Sequence, residues 1–179
     1  MTAVNQQERS SITREHKYFL AGFIEGEGSF CVSIKKHPQS RFGYLVDPEF
    51  FIYQHERGRR ILELAQANFG TGRIYPKPGN EKVLVFAIDN RRSLREKVIP
   101  FLDKYLMMTG KRREYELFKQ IVIALENKAH TTREGLIEVI KLAYAHRGKG
   151  KQRKRPLQVV IDEILRDYTP DSRRGREKI

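Results

Sequence analysis

A chain of 179 residues with 39% apolar and 10% aromatic content can bury one compact core, which excludes a wholly disordered protein. Its net charge of +13 and pI near 10 point to a polyanionic partner, nucleic acid ahead of an anionic membrane. Cys31 is the only cysteine, so no disulfide framework and no thiolate-built zinc cluster is possible, while the opening MTAVNQQERS has no apolar h-region and no stretch is long enough to cross a bilayer. An intracellular, soluble nucleic-acid-binding protein is expected, with no membrane partner.

Residues 1–12 are polar and are expected to form a flexible N-terminal segment. From Thr13 to Gly26, the spacing of Tyr18, Phe19, Phe23 and Ile24 predicts a helix closed by glycine. SFCVSIKK then alternates, with Phe30, Val32 and Ile34 on one face and Ser29, Cys31, Ser33 and Lys35 on the other, as in a half-buried strand. HPQSRFGY reads as a turn and PEFFIYQ, from Pro48, as a second strand. Arg59 to Asn68 is helical in pattern and ends near Gly70. GRIYPKPGNEKVLVFAI predicts a hairpin around Pro78, Gly79 and Asn80, with Pro76 marking its first arm as an edge strand.

Ser93 to Glu96 reads as a capping box that opens a helix ending at Pro100. Lys111 to Asn127 is the longest helical pattern, and Thr131 to Glu134 reads as a capping box opening another helix. The order α-β-β-α-β-β-α-α-α predicts an α+β fold, an antiparallel sheet backed by helices. From His146 the composition changes: HRGKGKQRKRP is basic and glycine-punctuated, LQVVIDEILRDY predicts one short helix, and eleven Lys or Arg face five acids from Arg147 onward. Three parts are therefore expected: the segment 1–12, a core domain over 13–145, and a basic C-terminal extension over 146–179. The extension reads either as a solvated end or as a phosphate-contacting arm, with Lys151, Arg153 and Lys154 the candidate contacts.

Inside the first helix, LAGFIEGEGSF (Leu20 to Phe30) combines an apolar start with two glutamates and three glycines. Core helices avoid both. Gly22 and Gly26 are four apart and share a face, where each costs about 1 kcal/mol relative to alanine. That cost makes sense where a second helix packs closely. Glu25 and Glu27, two apart, point in different directions and do not form an acid/base pair within one chain.

FLAGFIEGEGSF resembles the signature of the LAGLIDADG homing endonucleases. FGYLVDPEFFIYQH, TGRIYPKPG and IDNRRSLREKVIPF extend the similarity, from Tyr18 to Leu125, to members encoded in group I introns of large-subunit ribosomal RNA genes. EGLIEVI (Glu134 to Ile140) lacks the closing glycine-acid-glycine, so the chain carries one motif. The resemblance implies a homodimer joined at Gly22 and Gly26, which brings two Glu27 carboxylates together beneath a DNA-binding saddle. It further implies that Glu27 and the Gly26 carbonyl hold a metal, that Gln54 orients hydrolytic water, and that Lys111 lies near the scissile phosphate. Taken alone, without the family context, these three side chains read as a frayed-helix acid, a strand-end amide and a solvated helix start, and Glu25 as structural or solvated. Where some homodimers of the family place arginine four residues after the glutamine, this chain has Gly58, leaving Arg57 and Arg59 as candidate phosphate contacts.

An oxygen-only ligand set points to Mg²⁺. A two-stranded ribbon fits the major groove, so the outward residues are the candidate base readers: Ser33, Lys35, His37, Gln39 and Arg41 from the first hairpin, and Arg73, Tyr75 and Lys77 from the second. The implied activity is a double-strand break in a long, pseudo-palindromic DNA target, made across the minor groove with short 3′ overhangs. Two alternatives on the same fold are a maturase that binds intron RNA and a regulator that binds DNA without cutting it. The implied location is the bacterial cytoplasm or the organelle that encodes the intron.

Overall fold

The computed structural model describes residues 12–105, 110–146 and 155–166. Helix α1 (Arg14–Glu27) opens on a reciprocal cap: Thr13 Oγ1 accepts from the His16 amide and His16 Nδ1 accepts from the Thr13 amide, each at 3.3 Å. It buries Leu20, Ala21 and Ile24 and passes directly into β1 (Gly28–Lys36). Strand β2 (Tyr44–His55) pairs antiparallel with β1, with Gly28 opposite Ile52 and Lys36 opposite Tyr44. It starts four residues before the Pro48 expected from sequence. Its pairing with β4 begins only at Phe50, so Pro48 lies where β2 has an open edge and needs no N–H there.

Helix α2 (Arg59–Phe69) buries Leu62, Ala65 and Phe69 and ends at Gly70, whose φ of 57° supplies the left-handed closing turn. Strands β3 (Arg73–Lys77) and β4 (Asn80–Ile88) complete one sheet in the order β1-β2-β4-β3, which leaves proline-bearing β3 at an edge as its sequence requires. The next helical run departs from the expected boundaries. α3 (Arg91–Ser93) is capped by Asn90, whose Oδ1 accepts from the Ser93 amide at 3.0 Å, and Ser93 itself is helical. A π turn over Leu94–Val98 leads into α4 (Ile99–Tyr105), so Pro100 lies inside the helix instead of ending it. The wider turn takes up the misfit of a residue that cannot donate.

α5 (Arg112–Glu126) buries Tyr115, Phe118, Ile121, Val122 and Leu125. α6 (Arg133–His146) is capped by Thr132, whose Oγ1 accepts from the Gly135 amide at 3.1 Å, one residue later than the expected cap. α7 (Leu157–Leu165) buries Val160 and Ile164 in the same core as the other helices, so the division at residue 146 does not divide the core. Among the described residues no helix is long and apolar enough to cross a membrane.

The strand periodicity separates two faces. Phe30, Val32, Phe50, Ile52, Leu84, Phe86 and Ile88 enter the core, with Phe30 stacked on Phe50 at 5.7 Å and Phe69 packed edge-on at 5.9 Å. The opposite face carries Ser33 and Lys35 on β1, Asp47, Glu49, Phe51 and Tyr53 on β2, and Arg73, Tyr75 and Lys77 on β3. On β4 the same face holds Val85 and Ala87, which are only 2% and 0% exposed because larger residues flank them in register, Tyr53 and Tyr75 beside the first, Phe51 and Arg73 beside the second.

Candidate functional site

Three backbone carbonyls meet one ammonium at the foot of α1. Lys111, at the start of α5, directs Nζ to the carbonyl oxygens of Gly28 (2.5 Å), Gly26 (3.1 Å) and Ile24 (3.4 Å). A helix C-terminus exposes unpaired carbonyls and a partial negative charge, so a cation is the group that this end attracts. Glu27, the last residue of α1, is exposed beside them. The fold therefore brings Gly26, Glu27 and Lys111 together, although Lys111 is 85 residues from Gly26 in sequence.

Gln54 lies two residues beyond Ile52, the partner of Gly28, and so reaches past the same foot. Its Oε1 accepts from the His55 amide at 2.7 Å. Gly58 lies against it: a Cβ at position 58 would stand 2.5 Å from Gln54 Cγ and 2.8 Å from Cδ. The glycine expected to leave an arginine role unfilled thus makes room for Gln54. Arg59 pairs with Glu63 at 2.8 Å on the surface of α2, and Arg57 is exposed in the turn between β2 and α2. Glu25 is not solvated: both its carboxylate oxygens are buried and have no hydrogen-bond partner among the described residues.

The outward sheet face gathers Ser33, Lys35, Arg73, Tyr75 and Lys77, and it holds the cations with partners of its own. Lys35 Nζ meets Asp47 Oδ2 at 2.9 Å, and this bond raises the lysine above its ordinary pKa. Arg73 Nη2 meets Asp89 Oδ2 at 2.6 Å, stacks over Tyr75 at 5.6 Å, and holds the Asp89 carboxyl below its usual range. Lys77 lies over the Tyr53 ring at 5.5 Å, and Ser33 Oγ points to the Asp47 carbonyl at 3.4 Å. Glu49 shares the face, with its carboxyl pushed up by burial and by Asp47. Asp47, Glu49, Phe51, Tyr53 and Asp89 join this face beyond the residues expected there, and the alternation along β2 is the signal that carries the first four.

The turn between β1 and β2 behaves differently. Gln39 is exposed, and half-buried His37 has a buried Nδ1 with no hydrogen-bond partner among the described residues. Arg41 Nη1 donates to the Thr131 carbonyl at 3.1 Å and its guanidinium stacks on Phe42, which ties it to the start of α6. At the far end of β1 and β2, Glu163 of α7 accepts from Arg155, Tyr44 and Lys36, the last at 3.0 Å, and Arg155 chiefly holds its carboxyl down at about 2. Burial and Glu163 push the Tyr44 hydroxyl up. Lys151, Arg153 and Lys154 lie outside the described residues.

The profile of the LAGLIDADG endonuclease family matches residues 20–122, from the middle of α1 into α5. The chain belongs to that family. It is 44% identical over 138 residues to the DNA endonuclease I-CeuI of Chlamydomonas moewusii, covering 75% of this chain and 63% of that protein's length. The structure of I-CeuI, a group I intron-encoded homing endonuclease complexed with DNA, superposes with a TM-score of 0.79 at 38% identity, over 86% of this chain and 77% of the other. The archaeal intron-encoded homing endonuclease I-Vdi141I, also complexed with DNA, gives 0.77 at 37% identity, over 83% and 93%. I-SmaMI, bound to an uncleaved DNA target in the presence of calcium ions, gives 0.73 at 28% identity, over 82% and 48%.

In this member the single LAGLIDADG helix keeps an apolar flank uncovered: Tyr18 is 49% and Phe19 54% exposed, and Gly22 is half-buried. A Cβ at Gly26 would meet nothing within 4 Å. Among the described residues no three His, Cys, Asp or Glu side chains come close enough to hold a metal ion.

Proposed function

We propose that the chain is a site-specific homing endonuclease, a homodimer that hydrolyses both strands of a long, pseudo-palindromic DNA target with Mg²⁺ and leaves short 3′ overhangs. The observation that carries this reading is the convergence of Glu27, the Gly26 carbonyl and Lys111 at one end of a polar sheet face, in a chain that resembles I-CeuI and I-Vdi141I, both complexed with DNA. The uncovered flank of α1 supports the dimer, because one LAGLIDADG motif supplies half of a cut site and a second copy would cover Tyr18 and Phe19.

The residues at the foot fit a hard cation. Their donors are oxygens only, and three carbonyls already gather around an ammonium. With Glu27 as the carboxylate that each chain would contribute, the remaining ligands would be water, phosphate oxygen and the second copy's site. Glu27 and the Gly26 carbonyl would hold the Mg²⁺, which supplies Lewis-acid stabilisation of the phosphate. Lys111 screens the charge that develops on the phosphate, and the Gln54 amide orients the attacking water. The test is a cleavage selection on a randomised duplex library with Mg²⁺. A recovered long, two-fold-related site is expected; recovery of bound but uncut duplexes would overturn the reading.

A further inference from the structure

Three acids stand on the face that the proposed function turns toward DNA, and two of them are already neutralised. Asp47 holds Lys35 and Asp89 holds Arg73. Glu49 lies between them, opposite Cys31 on β1 and within electrostatic reach of both pairs, yet among the described residues it has no hydrogen bond or ion pair. It is half-buried, with Phe51 and Tyr53 beside it on the outward row of β2.

A bare carboxylate facing a polyanion weakens binding unless a donor meets it. Phosphates and sugar ring oxygens offer none. In the major groove the only donors are the exocyclic amines, cytosine N4 and adenine N6, since guanine N7 and O6 and thymine O4 all accept. Lys35 and Arg73 cannot turn to Glu49 without leaving Asp47 or Asp89 bare. We infer that Glu49 is a specificity-determining residue that accepts a hydrogen bond from an exocyclic base amine at one position in each half-site. This rests on the proposed DNA-binding function and adds to it a reader that selects for a donor, where Lys35 and Arg73 select for acceptors. Burial and Asp47, which raise the Glu49 pKa, make the carboxylate a stronger acceptor once the amine is in place.

The experiment profiles wild type, Glu49→Ala and Glu49→Gln, as full-length chains, on duplexes substituted one base pair at a time. Wild type should prefer cytosine or adenine at one position per half-site, by about fivefold to a hundredfold over bases that present only acceptors. Glu49→Ala should flatten that position alone. Glu49→Gln, with an amide that both donates and accepts, should move it toward adenine. Replacing the preferred base by its analogue without the amine should weaken wild type as much as Glu49→Ala does, and should leave Glu49→Ala unchanged. If wild type discriminates but both variants keep its profile and only bind every duplex more tightly, Glu49 merely repels phosphate and the inference is overturned. A wild-type chain that binds no duplex overturns the function on which it rests.

Discussion

The foot of α1 and the outward face of the sheet are both polar, but they are built from different atoms. At the foot, Lys111 meets main-chain carbonyls and Gln54 lies on a glycine, so backbone geometry fixes the positions. On the sheet three cations are held by other side chains: Lys35 by Asp47, Arg73 by Asp89, Lys77 by Tyr53. Interactions with the main chain persist when neighbouring side chains change; interactions between side chains do not. Chemistry that must be the same at every target suits the first construction. Recognition that must vary between targets suits the second. Changes at the foot should therefore act on all DNA sequences alike, and changes on the sheet should act position by position.

The largest effect is expected from Glu27→Gln. The side chain keeps its size and loses the charge that would hold the metal, so strand cleavage should fall by roughly 10²–10³-fold or more. Binding to the same duplex should persist, because Glu27 is exposed and stands outside the core. Single-turnover cleavage beside a gel shift measures both, and undiminished cutting would remove Glu27 from the site. Lys111→Met comes next. Cleavage of every sequence should slow by about 10²-fold. Unlike Glu27→Gln, it should also cost about 1–2 kcal/mol of stability, since three carbonyls are left without their cation. A full-rate Lys111→Met enzyme that is merely less stable would make the lysine a helix cap and nothing more.

Gly58→Ala tests whether the foot depends on backbone space. The added Cβ would displace Gln54 from its Cγ outward, and a misplacement of about 1 Å can cost on the order of 10²-fold in rate. The expected result is a rate loss of about tenfold to a hundredfold on all sequences, with an unchanged urea midpoint because position 58 is a surface turn. Equal rates would show that Gln54 takes no part from this pose.

Much of this layout is legible in the sequence, and the failures have physical causes. α1, β1 and α2 carry clear periodicity and glycine stops, and they fall within a residue or two of their expected bounds. The cap at residues 90–93 is ambiguous because Asn90 and Ser93 are both competent caps, and only the packed helix decides between them. Pro100 reads as a stop because a π turn leaves no periodic trace. The motif indicates Glu27 and Gly26, but that the Lys111 ammonium caps α1 is a long-range fact that no local pattern carries. Starting β2 at Pro48 puts Asp47 outside the strand, and with it the partner that holds Lys35. In sequence Lys35 therefore resembles a free side chain, whereas the structure pairs it with Asp47.

Lys35→Ala sharpens the other side of the comparison. It should change base preference at one position per half-site by about 1–3 kcal/mol, and it also leaves Asp47 uncompensated. Lys35→Ala with Asp47→Ala should recover overall affinity without recovering the preference. Cleavage profiles on single-substituted duplexes separate the two effects. Uniform weakening at every position in both variants would mean that β1 only positions the DNA.

The smallest effect is expected where the two regions are least involved, at the far end of β1 and β2. There α7 holds the strands through Glu163, whose carboxyl lies at about 2 against an ordinary 4.5, first because of Arg155 and then Tyr44. A depressed folded-state pKa means that the charged form is favoured by folding. The stabilisation is whole above pH 4.5, declines as the pH falls, and is gone near 2. Its size is modest, because Arg155 and Lys36 remain 37% and 57% exposed and water screens them. Glu163→Gln should therefore lower the melting temperature by no more than a few degrees at neutral pH, and the gap from wild type should close between pH 4.5 and 2. A gap that persists at pH 2 would assign the effect to packing of α7, whose Val160 and Ile164 are buried, and not to charge. The same burial makes truncation after Ala145 a poor test of the basic extension, since it strips part of the core. Substituting Lys151, Arg153 and Lys154 while keeping α7 is the cleaner experiment: if they bind phosphate, the slope of log affinity against log salt should flatten by about 0.9 for each phosphate no longer neutralised. An unchanged slope in that folded variant would return these side chains to solvent and leave the salt dependence to the sheet and the foot of α1.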